Sequence, residues 1–487
     1  MIGFRHFDRF WNMAKGLVPT LALMLYSGCA VGPDYQRPDA ALIPDAYVGP
    51  GSDWKVASPM AHVPRGNWWE IFGDPELNRL ETEAMAANQD LKVAVSRFMQ
   101  ARAAANVVES ALFPRLGVSA LQVDQRDSKH RPVGGRPDQT YDTLTVPFDF
   151  SYEIDLWGRV KRLVEAATAQ AQASADDVES IKLALQAEVA ANFITLRTLD
   201  ADKALVLSSI DVYRKSLELV RNRRAGGMIS DLDVAQAETV LKTAEAQVPN
   251  IANQRARYQN ALAVLTGKPA SLLQLPERPL DMQPLVIPAG LPSELLERRP
   301  DIAAAERRMA ASNANIGVAT AAFFPTVKLS GIAGFQSGGL DMLFDWPSRF
   351  WAVGPSMTLP LFQGGQLNAD LRRTEAVYEE TVAKYRQTVL SAFAEVENNL
   401  SAEHLLAAEY QKVRGALQSV RRQQEIAGNR YSAGLATYLE VATAQNAALG
   451  IERTGVRLRG QQLISVAALI KSLGGGWQVP DLLDESS

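Results

Sequence analysis

The side chains of this chain that could do covalent or proton-transfer chemistry are few and scattered. Its four histidines, His6, His62, His130 and His404, lie far apart, and no HExxH, GxSxG or phosphate-cradling loop occurs. Thr266-Gly267-Lys268-Pro269 carries a lysine but lacks the earlier glycine that a P-loop needs. Carboxylates are abundant, but they fall at the spacing of solvated helix faces, so no general acid and base pair stands out. No cofactor or metal is implied.

One nucleophile remains. Cys29 is the only cysteine, so no internal disulfide, redox pair or cysteine metal site can form. Arg5, Arg9 and Lys15 make a basic region, residues 17–25 an apolar stretch, and Tyr26-Ser27-Gly28-Cys29 a small-residue cleavage site. The apolar stretch is short of the roughly 20 residues that span a bilayer. The pattern predicts a lipoprotein signal over 1–28, cut at the amino side of Cys29, which is then acylated. Tyr26 stands where an aliphatic residue is usual. Ala30 stands where an aspartate would favour inner-membrane retention, so the predicted address is the outer membrane of a Gram-negative cell.

The remaining chemistry is electrostatic and sits at two turns. Ala225-Gly226-Gly227-Met228-Ile229-Ser230 is followed by Asp231 and Asp233, and Ser432-Ala433-Gly434-Leu435-Ala436-Thr437 by Glu440. Glycine allows the positive φ that ends a helix, Ser or Thr caps the next one, and acids suit its first turn. Each turn therefore reads as the polar tip of a helical hairpin.

The elements carrying these tips are long. No proline separates Pro147 from Pro249 or Pro360 from Pro480, and no glycine falls between residues 159 and 225. That span is rich in strong helix formers and would run for about 100 Å as one helix. Leu183, Ala187, Ala190, Ala191, Ile194 and Leu199 recur at helical spacing. Such a helix needs neighbours along its whole length, as in a coiled coil or helical tube.

Strand signals lie between the helices. Leu144, Val146, Phe148, Phe150, Tyr152 and Ile154 alternate with polar residues over 143–155. A second run covers 351–361, and weaker strands follow each Phe-Pro at 117–126 and 327–336. A soluble sheet with one buried face would also show this alternation. In lipid a sheet must close, and four strands are fewer than the eight of the smallest single-chain barrels. Closure then requires copies: eight strands in a dimer or twelve in a trimer.

The chain also repeats itself. Ala-Leu-Phe-Pro-Arg-Leu-Gly-Val-Ser at 111–119 is answered at 322–330, an offset of 211, and residues 223–237 are answered at 430–444, an offset of 207. This is far beyond solenoid periods and points to two similar halves. The net charge of −4 and pI near 5.8 give no reason to expect nucleic acid.

Four segments carry a family resemblance. Gly-Leu-Pro-Ser-Glu-Leu-Leu-Glu-Arg-Arg-Pro-Asp-Ile (290–302, continuing to Glu306) and Ala-Ser-Asn-Ala-Asn-Ile-Gly-Val-Ala-Thr-Ala-Ala-Phe-Phe-Pro (311–325) resemble signatures of outer membrane factors. Cys-Ala-Val-Gly-Pro-Asp-Tyr-Gln-Arg-Pro (29–38) and Ser-Leu-Gly-Gly-Gly-Trp (472–477) resemble the lipoprotein branch of TolC-like channels, represented by OprM and NodT-type proteins.

The resemblance implies a mostly α protein with a β-barrel portion. Helical hairpins would build a trimeric α-barrel in the periplasm, and four strands per chain a shared twelve-stranded barrel. Its layout would be 1–28 signal, 29–110 acylated start with equatorial segment and first helix, 111–157 first strand pair and 158–268 first hairpin. Then come 269–321 linker with equatorial segment and helix, 322–362 second strand pair, 363–473 second hairpin and 474–487 equatorial tail. The belt would include Trp68-Trp69, the Pro-rich stretch 269–300 and the tail, and loops 127–139 and 337–349 would face outside.

The function implied is the non-enzymatic exit duct of a tripartite efflux pump. A periplasmic adaptor and an inner-membrane transporter would feed it small molecules, with outer-membrane lipid around it. Carried over by position, Leu439, Glu440 and Thr443 would line the periplasmic constriction, with Thr443 replacing a common aspartate. Asp233 and Tyr431 match the polar links that tie closed tips, and Ala436 replaces an arginine of some members. Adaptor tips would dock at Gly227, Ser230, Gly434 and Thr437. The alternatives are an exit duct for secreted proteins and a coiled-coil lipoprotein scaffold with no lumen.

Overall fold

The computed structural model describes residues 30–37, 66–128, 130, 140–282 and 299–475. The signal at 1–28, Cys29, most of loop 127–139, the Pro-rich stretch at 283–298 and the tail beyond 475 lie outside the described residues. Seven α-helices are described: α1 (Pro75–Ala87), α2 (Gln89–Glu109), α3 (Arg159–Ala225), α4 (Asp231–Leu265), α5 (Pro300–Ala321), α6 (Gln366–Ser432) and α7 (Tyr438–Ser472). Five strands accompany them: β1 (Arg115–Val118), β2 (Leu121–Arg126), β3 (Thr140–Ile154), β4 (Thr326–Ser337) and β5 (Arg349–Thr358).

The duplication is metrical. α3 and α6 each have 67 residues, and α4 and α7 each have 35. All four begin and end at the 207-residue offset read from the tips. At 1.5 Å per residue α3 and α6 are each about 100 Å long.

The chain divides into two compact units. The first comprises 1–39, 98–174 and 305–385 and holds the sheet. β1 and β2 both pair with β3, which pairs with β4 and then β5, all antiparallel. The strand expected over 117–126 is thus two pieces in one register, Val118 facing Phe148 and Leu121 facing Thr145. The break falls opposite Pro147, whose carbonyl accepts from Ser119 N–H at 3.1 Å but whose nitrogen has no proton to return. The run expected over 351–361 is shifted to 349–358: the ladder stops where Thr326, just after Pro325, faces Thr358. Trp351, Val353 and Met357 are 77%, 64% and 72% exposed on one face of β5. A sheet with such a face and two unpaired edges cannot sit in lipid as a lone sheet.

The first unit also straps down residues 31–34. Val31 N–H donates to Trp157 O at 3.0 Å, Asn313 to Pro33 O at 3.0 Å, and Arg162 to Asp34 at 2.7 Å. Gly32, at φ +94°, crosses Gly317 so closely that a Cβ would lie 2.5 Å from its Cα. Trp157 stacks on Phe324 at 4.8 Å and donates to Pro325 O at 2.8 Å, which fixes the second Phe-Pro.

The second unit, 40–97, 175–304 and 386–487, carries the hairpins and a packed flank. Trp68 is buried, its indole N–H donating to Gln186 at 3.0 Å, and Leu77 and Leu80 of α1 are buried as well. Asp200, 1% exposed, receives Arg197 at 2.9 Å and Arg255 at 2.6 Å. The same arginines donate at 2.7 Å to the carbonyls of Pro276 and Leu275, so one buried carboxylate organises α3, α4 and the segment after them. Glu81 lies on the buried stripe of α1 with both carboxylate oxygens unpartnered.

Candidate functional site: the paired hairpin tips

Both tips stop their helices by the same device. Gly227 N–H donates to Arg224 O and Met228 N–H to Arg223 O; Gly434 N–H donates to Tyr431 O and Leu435 N–H to Arg430 O. These are matched Schellman closures, with φ of +71° at Gly227 and +73° at Gly434. Nothing lies within 4 Å of a Cβ built on either glycine. Ser230 and Thr437 are exposed beside them.

The outgoing helices differ in their caps. The Ser230 N–H and Oγ both donate to the Asp233 carboxylate, at 3.1 and 2.9 Å. Thr437 holds the equivalent position but makes no side-chain cap bond, contrary to the expectation that it would cap. Its partner three residues on, Glu440, turns instead to Arg430 at 3.7 Å. Asp231 is gripped by Arg224 at 2.7 and 3.0 Å, which holds its carboxyl below the usual range.

Leu439, Glu440 and Thr443 share one helix face, as their spacing requires, and line a groove of about 610 Å³ with Arg422, Ile426 and Arg430. Asp233 and Tyr431 are not hydrogen-bonded to each other. The Tyr431 ring is 5% exposed, and its hydroxyl has no hydrogen-bond partner. Burial pushes that hydroxyl's pKa up, while the nearby Arg223 charge works the other way.

The link between repeats is made by a residue the sequence reading passed over. Arg223 donates to the carbonyls of Tyr431 and Ser432, both at 2.8 Å, and its guanidinium lies 4.8 Å from the centre of the Tyr431 ring. It thus caps the C-terminus of α6 with a cation, where the helix dipole favours one. Beneath it, Ser216 meets the Tyr438 hydroxyl at 3.3 Å and Tyr213 donates to Gln445 O at 3.0 Å. The available signal was that Arg223 and Arg430 occupy the same place in both repeats.

The sequence profile of outer membrane efflux proteins matches residues 80–268 and 291–475, one stretch per repeat. The chain belongs to that family.

It is 35% identical over 462 residues to the probable efflux pump outer membrane protein SepC of Pseudomonas putida, spanning 93% of this chain and 95% of that one. It is 33% identical over 469 residues to the outer membrane protein OprJ of Pseudomonas aeruginosa, spanning 95% and 96%. Among solved structures, the outer-membrane channel OprN superposes with a TM-score of 0.83 at 31% identity, covering 92% of this chain and all of that one. The protein is therefore an outer-membrane efflux channel, mostly helical with two structural repeats and a strand portion. The relatives are channels rather than enzymes. Among the described residues no group of His, Cys, Asp or Glu could hold a metal ion.

Proposed function

We propose that three copies of this chain form one continuous duct, gated at the hairpin tips, that passes small toxic molecules from periplasm to exterior. The observation that carries the reading is the four-stranded meander, apolar on one face and unpaired at both edges, each strand pair leading into a 67-residue helix. Three copies would close twelve strands in lipid and line up twelve helices below. Acylated Cys29 would anchor the start of the mature chain to the membrane, ahead of the strap at 30–37.

Leu439, Glu440 and Thr443 would repeat threefold at the constriction, Glu440 giving a cation-attracting ring. The clasp on Tyr431 and Ser432 by Arg223, with Asp233 stiffening the neighbouring turn, would hold the tips closed. Adaptor hairpin tips would dock on Gly227, Ser230, Gly434 and Thr437, where the backbone is open, and an inner-membrane transporter would supply the energy. The duct itself would catalyse nothing.

Deleting the gene should raise retention of fluorescent efflux dyes, and the purified protein should weigh three chains in detergent. Unchanged dye retention together with a single-chain mass would refute the reading.

A further inference from the structure

β4 and β5 are joined by a built loop rather than a bare turn. α5 enters β4 and β5 runs on to α6, so residues 338–348 lie at the end of the strands away from the helices. The loop is held by its own bonds. Leu343 is buried, and Ser348 Oγ donates to Met342 O at 2.7 Å. The Asp345 and Ser348 N–H groups close two turns, on Met342 O at 3.2 Å and Asp345 O at 3.0 Å. On this fixed backbone Leu340, Phe344 and Trp346 are 77%, 70% and 75% exposed. Apolar surface gathered in this way marks a contact rather than a face for water.

The register sets the loop on the apolar face of the sheet. Phe335 of β4 pairs with Arg349 of β5 and Ala333 with Trp351, so Arg349 shares a face with Trp351, Val353 and Met357. Phe344 meets Phe335 edge-on, 5.5 Å between ring centres, which brings the loop to that same face. From Met357 to Arg349 the strand rises about 27 Å, or about 20 Å at the usual tilt of a barrel strand. The apolar band of outer-membrane barrels is about 25 Å tall, so Arg349 stands at its outer rim. Two exposed indoles, Trp346 and Trp351, flank it, and tryptophan favours headgroup depth. Arg349 is the one charged residue that β4 and β5 carry on this face.

Its guanidinium is positioned but not spent. Nε donates to Trp346 O at 2.9 Å, and the group lies over the Trp346 ring. Asp341 and Asp345 share the loop, yet among the described residues no carboxylate pairs with Arg349, which is exposed. Both terminal nitrogens keep their N–H groups, in the fork that matches a phosphate bidentately.

We propose that Arg349, Trp346 and Phe344 form a site for the phosphorylated headgroup of an outer-leaflet glycolipid. The phosphate sits on the guanidinium, and the acyl chains run along Trp351, Val353 and Met357 below. A free phosphate would use the guanidinium alone, whereas a lipid also covers the apolar side chains around it. The inference rests on the reading of the sheet as part of a closed barrel, and adds to it a lipid class and the residue that selects it.

The test is native mass spectrometry of the full-length protein in detergent, titrated with diphosphoryl lipid A. Wild type should retain one lipid A per chain. Arg349→Gln should bind it about tenfold more weakly, as expected for a lost charge-assisted hydrogen bond, and Arg349→Lys should recover part of the loss. Lipid A stripped of both phosphates should bind wild type and Arg349→Gln alike. Trp346→Ala keeps the charge but removes its platform and should also weaken binding. Equal affinity of diphosphoryl lipid A for wild type and Arg349→Gln, in a protein whose mass is three chains, would overturn the site and leave the barrel standing. Displacement of the lipid by millimolar inorganic phosphate would overturn the lipid assignment in favour of a free anion. A single-chain mass with no lipid retained would overturn the barrel reading and the site together.

Discussion

Replacing Glu81 with glutamine should remove a pH dependence that the fold imposes on itself. Glu81 is fully buried in α1 and both its oxygens lack partners. Burial pushes its pKa from 4.5 to about 9. The folded chain therefore keeps a proton that the unfolded chain releases. A raised folded pKa gives full stability below the unfolded value, and that stability is lost as pH climbs towards the folded value. Neutral pH lies about 2.5 units above the carboxyl's ordinary value of 4.5, which the unfolded chain keeps. At about 1.4 kcal/mol per unit, holding the proton costs the native state roughly 3 kcal/mol. Glutamine keeps the shape and the buried polar atoms but has no proton to hold. The assay is thermal unfolding in detergent, followed by tryptophan fluorescence from about pH 5 to about pH 9. Wild type and Glu81→Gln should nearly coincide at the acid end, and the variant should pull ahead steadily as pH rises. Parallel curves across the range would refute the reasoning, because a group exposed in solution or paired in the fold would not produce a widening gap.

Other consequences follow from the same structure. Asp200→Ala leaves the buried Arg255 without its carboxylate and Arg197 with Glu76 alone, and should cost about 3 kcal/mol, read as a lower unfolding temperature. Gly32→Ala forces a methyl against the Gly317 backbone and should detach the strap, read as faster proteolytic trimming of the N-terminus in detergent. Gly434→Val finds open space around its Cβ but strains a φ of +73°, at a cost of about 1–2 kcal/mol. It should leave trimers intact and abolish drug resistance in cells, and normal resistance would remove the tip from adaptor docking.

Much of the fold could be read from local chemistry. Helix formers without glycine fixed α3 to the residue, and Gly227 and Gly434 marked both closures, because these features act within a few positions of themselves. Alternation placed β3, while the break between β1 and β2 came from Pro147 on the facing strand, which no single-strand pattern contains. The tip chemistry was less legible for the same reason. Arg223 reaches carbonyls more than 200 residues away, and its role depends on how two hairpins pack. Carboxylates were read together as lying on solvated helix faces, although the spacing of Glu81 from Leu77, Leu80 and Ala84 puts it on the buried stripe. Thr437 matched the cap pattern, but its partner Glu440 was drawn to Arg430.

The account stands most directly on whether the purified protein conducts and whether its tips control conduction. Single-channel recording in planar bilayers should show cation-selective pores, with Arg223→Gln opening them more often and Glu440→Gln weakening their cation selectivity. Bilayers that stay silent with wild type and with Arg223→Gln alike would contradict the claim that this chain is a duct gated at its hairpin tips.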